Sequence, residues 1–142
     1  MVRSFSRRSL PIVASAFVAD CLNQVFLAGL GVFDSPERFQ LHSGFGYLLG
    51  WFTLAILVLA IAGREPRRIV GLSALVLVQF AMQSIFVLLR ADYPAIAALH
   101  PVNGFLILAV GAAIARLSWA VRHEPAARRA DAPAPAAVPG AG

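Results

Sequence analysis

LHPVNGFLILAVGAAIARLSWAV, residues 99–121, is apolar over nearly its whole length, with Arg116 as its one full charge. A helix crosses about 30 Å of hydrocarbon with about 20 such residues. The run opens against type, with His100, Pro101, Asn103 and Gly104. Working outward, three more stretches reach the same length. The expected spans are Leu10–Phe33, Phe39–Ala62, Ile69–Leu89 and Ala95–Val121. Between them lie turn and breaker signals: DSPER at 34–38, GREPRR at 63–68 and RADYP at 90–94. Loops this short make neighbouring helices antiparallel. The fold class is therefore all-α: a four-transmembrane-helix antiparallel bundle.

Composition agrees. The 142 residues are 59% hydrophobic and only 13% charged, about half the charged share of a soluble domain, and mean hydropathy is +0.76. The net charge of +5 bears on topology and lipid headgroups. No basic stripe interleaved with aromatics is present, so nucleic acid is not an expected partner. Cys21 is the single cysteine, which excludes an internal disulfide, and there is no CxxC or CxxCH for a metal or covalent haem. All 12 basic residues are arginine.

The first span follows a basic start, RSFSRR, but exceeds the roughly 7–15 residues of a signal-peptide core and contains Asp20, Asn23 and Gln24. It reads as a retained helix. Arg3, Arg7 and Arg8, then Arg64, Arg67 and Arg68, then Arg116, Arg122, Arg128 and Arg129 fall on one side, leaving Arg38 and Arg90 on the other. The positive-inside rule puts both termini in the cytoplasm of a cell (plasma) membrane protein. The expected organisation is a cytoplasmic segment 1–9, a membrane domain 10–121 and a disordered Ala- and Pro-rich tail 122–142, with His123 solvated at its start.

Polar groups in hydrocarbon face the bundle interior and find partners. Asp20, Asn23 and Gln24 share a face of the first helix, and Gln79, Gln83 and Arg90 share one of the third. His42, Gly46 and Thr53 share a face of the second; His100, Asn103, Gly104 and Gly111 share one of the fourth. Interhelical hydrogen bonding accounts equally well for Gln24, Gln79, Gln83 and Asn103, and close helix packing for the three glycines. Met82 and the phenylalanines read as lipid-facing or core filler.

The histidines say more. Each heads its helix, the two helices run in the same direction, and each histidine is followed four residues later by glycine. That glycine lies one turn below the imidazole on the same face, leaving a flat slot beside the ring. Two imidazoles at equal depth suit a planar macrocycle whose metal takes both axial nitrogens, as in bis-histidine haem ligation. The pattern repeats: Gln24 precedes His42 by 18 residues, and Gln83 precedes His100 by 17. The chain reads as two copies of one helix pair. Arg38 and Arg90, at the mouth, would pair with haem propionates or snorkel to lipid phosphate. Pro101 either kinks the fourth helix or marks its start.

The alternation of a Gln-containing helix with a His-headed helix, twice over, resembles one half of haem A synthase and the haem-b four-helix bundles of small membrane cytochromes. QVFLAGLGVF, FQLHSGFG and AALHPVNGFL look most like a family of small, uncharacterised four-helix bacterial membrane proteins, over roughly residues 10–120. The resemblance implies axial ligation by His42 and His100. An enzymatic assignment does not transfer with it: haem A synthase has two such halves, and Asp34, Glu37 and Asp92 here read as turn residues. The expectation is haem b held by His42 and His100, with Gly46 and Gly104 admitting the porphyrin, Arg38 and Arg90 at the propionates and Gln24 and Gln83 in support. Filled axial positions favour electron transfer. Its partners would be the lipid bilayer and a redox partner or membrane complex, with a second copy of the chain as a further candidate. The alternative is a cofactor-free partner subunit or small-solute passage.

Overall fold

The computed structural model describes the backbone of residues 1–130 and the side chains of residues 1–122. Five α-helices form: α1 (Val2–Phe33), α2 (Phe39–Ala62), α3 (Arg67–Leu88), the short α4 (Pro94–Ala97) and α5 (Leu99–Ala130), with a 3₁₀ turn at Pro36–Arg38. Four membrane-length apolar helices carry the fold, and no strand occurs among the described residues. This is the all-α four-helix bundle expected, with the composition and architecture of a multi-pass membrane protein.

The helices pack as a ring. α1 lies against α2 and α5, and α3 against α2 and α5, while the diagonal pairs α1/α3 and α2/α5 make no close backbone approach. Small residues let the neighbours close up. A Cβ at Gly111 of α5 would stand 2.8 Å from the Phe17 ring of α1, and one at Gly50 of α2 would stand 2.9 Å from the Phe80 ring of α3. Leu10, Ala14, Phe17 and Cys21 of α1 meet Leu49 and Ile56 of α2, Val76 of α3, and Ile107 and Ile114 of α5 in one core. Thr53 is buried too, but its hydroxyl donates to Gly50 O of its own helix at 2.8 Å. It is a packing residue.

Boundaries differ from the sequence expectation in three places. α1 starts at Val2 and not at Leu10, because its buried stripe runs on through Ser6 and Arg7 pairs with Glu65 at 3.4 Å. Pro11 sits inside this helix. The last span is broken: α4 ends at Ala97 and α5 begins at Leu99. Pro101 therefore falls in the first turn of α5, where a missing N–H leaves no bond unmade. α5 continues past Val121 to Ala130, with Pro125 inside it. The expected disorder of the remaining tail, 131–142, and the reading of the His123 side chain lie outside the described residues.

The turns explain the hairpins. α2 closes with Gly63 N–H donating to Leu59 O at 2.8 Å and Glu65 N–H to Ala60 O at 3.0 Å. Arg64 occupies the left-handed position at φ 51° that glycine usually fills, and Pro66 precedes α3. At this end of the bundle Trp119 Nε1 donates to Ser15 Oγ at 3.2 Å, and the Arg122 guanidinium lies 4.9 Å over the Trp119 ring. The histidines are at the opposite end.

Candidate functional site

His42 opens α2 and His100 opens α5, two helices that face each other across the diagonal. The diagonal is bridged at this level by the imidazoles, whose ring centroids are 6.0 Å apart with planes at 67°. Both rings are half-buried.

Each ring is fixed in the same way. His42 Nδ1 is 3.0 Å from the main-chain oxygen of Gln24 on α1. His100 Nδ1 is 3.3 Å from the main-chain oxygen of Gln83 on α3. A carbonyl only accepts, so in these bonds Nδ1 carries the proton and donates. That tautomer leaves Nε2 with its lone pair, the state a metal ligand needs. Among the described residues no hydrogen bond reaches either Nε2. The sequence repeat is therefore a structural repeat: a Gln carbonyl on the preceding helix aims each histidine.

The glutamine side chains do a second job. The Gln24 amide is satisfied with its nitrogen donating to His42 O at 2.9 Å and its oxygen accepting from Gly46 N–H at 3.1 Å. That nitrogen is also 2.9 Å from His42 Nδ1. His42 thus has two exclusive arrangements: it gives a proton to the Gln24 carbonyl, or takes one from the Gln24 amide. Only the first frees Nε2. On the other half, Asn103 Nδ2 donates to Gln83 Oε1 at 2.7 Å and to Gln79 O at 2.8 Å, pinning Gln83 beside His100. Asn103 lies one turn beyond His100, and its spacing on the polar stripe was the signal for it.

The slots at the glycines are roofed. A Cβ at Gly46 would have the Gln24 amide 3.8 Å away, and one at Gly104 would have Gln83 Nε2 at 3.3 Å. The glycines do sit one turn below the histidines, but each faces a glutamine amide, so a flat ligand enters only as Gln24 and Gln83 swing aside.

The arginines stand apart from this network. Arg38 Nε donates to Asp34 Oδ2 at 2.9 Å as an exposed ion pair. Arg90 is exposed, with Nη1 3.4 Å from Val87 O. Asp34 is thus the partner of Arg38, which its i,i+4 spacing signals.

Among the described residues no group of three or more His, Cys, Asp or Glu side chains could hold a metal. Two imidazoles are the donor set. A bare zinc site takes four ligands, whereas a metal already held by a macrocycle needs only two axial ones. The spacing fits: two metal–nitrogen bonds of about 2 Å, plus about 1 Å to each ring centre, reach about 6 Å. The residues present fit a haem in donor type and in ring-centroid separation, and in tautomer wherever Nδ1 donates to the glutamine carbonyl.

Fold and site together define a four-helix membrane-type bundle with a paired-histidine site in its mouth. Residues 24–90 match the model of a family of unknown function (DUF6220). That stretch covers the end of α1 and all of α2 and α3, contains Gln24, His42, Gly46 and Gln83, and stops short of α4, α5 and His100. No curated protein and no solved structure matches the chain.

Proposed function

We propose that this chain is an integral plasma-membrane protein that holds one haem b between His42 and His100 and passes electrons near the external face. A bound haem supplies a one-electron couple. The chain supplies the rest. His42 and His100 would hold the metal through Nε2, which is free when each Nδ1 donates to its Gln main-chain carbonyl. Gly46 and Gly104 leave room for the macrocycle edge once the glutamine amides turn. Arg38 and Arg90, at the mouth, are the cations available to propionates. A haem held by both imidazoles would supply electron transfer and not oxygen chemistry. The arginine distribution supports cytoplasmic termini, with a redox partner or membrane complex reached from outside.

The observation that carries this reading is the matched pair of Nδ1–carbonyl bonds behind two imidazoles 6.0 Å apart across the diagonal. One observation favours a second reading, a cofactor-free partner subunit or small-solute passage: the Gln24 amide bonds directly over Gly46. A reduced-minus-oxidised visible spectrum separates the two. The haem reading expects a sharp low-spin α-band in protein produced with haem precursor, lost in His42→Ala and in His100→Ala. An α-band that survives both substitutions, or none in the parent protein, overturns it.

A further inference from the structure

Asp20 is the one carboxylate inside the apolar stretches of the four membrane-length helices. It is half-buried, and its Oδ1 accepts from Asn23 Nδ2 at 3.3 Å. It lies one helical turn, about 6 Å of rise, from Gln24, whose carbonyl receives His42 Nδ1. The equivalent position in the other half of the repeat, one turn before Gln83, is Gln79, a neutral amide whose buried Oε1 has no partner among the described residues. The two halves thus match in their histidines, glutamines and glycines and differ at this level in charge. An ionisable group in hydrocarbon is retained against a standing penalty, and a functional role is the default reason.

Resting on the haem reading, we propose that Asp20 is the proton acceptor that compensates the electron at the histidine site. When one electron arrives from a one-electron donor, Asp20 takes one proton from water, forming an O–H bond. The electron and proton charges cancel, and reoxidation returns the proton. Asn23 Nδ2 holds the carboxyl, one turn before Gln24 on α1. The other titratable or charged described groups on the elements packed against α1 are His42 and Tyr47 on α2, His100, Arg116 and Arg122 on α5, and Glu37 and Arg38 in the 3₁₀ turn, with Cys21 beside Asp20 on α1 itself. Glu37 is the one other carboxylate among them, and it lies in the exposed 3₁₀ turn before α2. Asp20 is a positioning and proton-holding residue and not a ligand.

The test is a spectroelectrochemical titration of the full-length, haem-loaded protein across a pH series. The wild-type midpoint potential falls as pH rises, by as much as 59 mV for each tenfold drop in proton activity, the one-electron limit. Asp20→Asn, which keeps a hydrogen-bond partner for Asn23, flattens that slope, and Asp20→Glu retains it. A reduced-minus-oxidised infrared spectrum gives an independent readout: a protonated-carboxyl C=O band present in wild type and absent in Asp20→Asn. An intact α-band with a potential independent of pH, or a slope unchanged in Asp20→Asn, overturns this inference and leaves the haem site standing. A protein without an α-band overturns both.

Discussion

Gly46→Ala should move fold stability and haem affinity in opposite directions. Gly46 is inside α2, and a Cβ built there meets only the Gln24 amide, at 3.8 Å, an ordinary contact. The helix gains by losing a glycine, about 0.5–1 kcal/mol, and no steric term opposes it. The haem-free bundle should therefore be equal or higher in stability. The loaded protein differs, because the space one turn below His42 must then admit the macrocycle edge. A methyl group forced into a filled space costs about 1–3 kcal/mol, which weakens haem binding by about 5- to 140-fold at 1.4 kcal/mol per tenfold. Unfolding of the haem-free protein in mixed micelles measures the first effect, and haem titration followed by absorbance measures the second. Haem affinity unchanged in Gly46→Ala would refute the assignment of this glycine. A haem-free protein that loses stability would refute the contact argument.

Other expectations follow from the packing and the ion pairs. Gly111→Ala places a Cβ 2.8 Å from the fully buried Phe17 ring, so α1 and α5 must part. The overpacking term of about 1–3 kcal/mol should outweigh the propensity gain, and the unfolding midpoint should fall. Arg7→Ala removes the partner of Glu65, whose side chain is 3% exposed and whose Oε2 already has no partner among the described residues. The same unfolding assay should show a loss on the order of 1–3 kcal/mol, largely restored by adding Glu65→Gln. Arg38→Ala breaks only an exposed pair with Asp34, so stability should change by less than about 1 kcal/mol. Any larger effect of Arg38→Ala on haem affinity than on stability would then report a propionate contact.

Much of the fold was legible because hydropathy and length alone mark membrane-length helices. What was not legible was tertiary. Ser6 and Arg7 read as a basic leader, and only the burial of Ser6 and the reach of Arg7 to Glu65 turn that leader into the first turns of α1. The break at Ala98 is signalled only by Pro101, which fits either a kink or a helix start, since Pro94–Ala97 continues the apolar run. At the site, helical periodicity brought His42, His100, Gly46 and Gly104 together on paper, and the recurring glutamine spacing pointed to the right neighbours. The groups that aim the histidines are main-chain carbonyls of Gln24 and Gln83, which any residue could supply, so residue type could not reveal them. Nor could the glutamine amides covering the glycines be read from spacing. The sequence places Arg38 at the mouth, and its bond to Asp34 follows from the i,i+4 spacing across the turn between α1 and α2.

The central claim is one haem per chain, held by both imidazoles. The most direct measurement is the haem-to-polypeptide ratio of the purified protein, taken with the spin state of its ferric form. The account predicts a ratio near one and a low-spin ferric signal that gives way to high spin or to loss of haem when either histidine is replaced. A colourless protein from haem-replete cells, or a high-spin ferric form with both histidines in place, would contradict it.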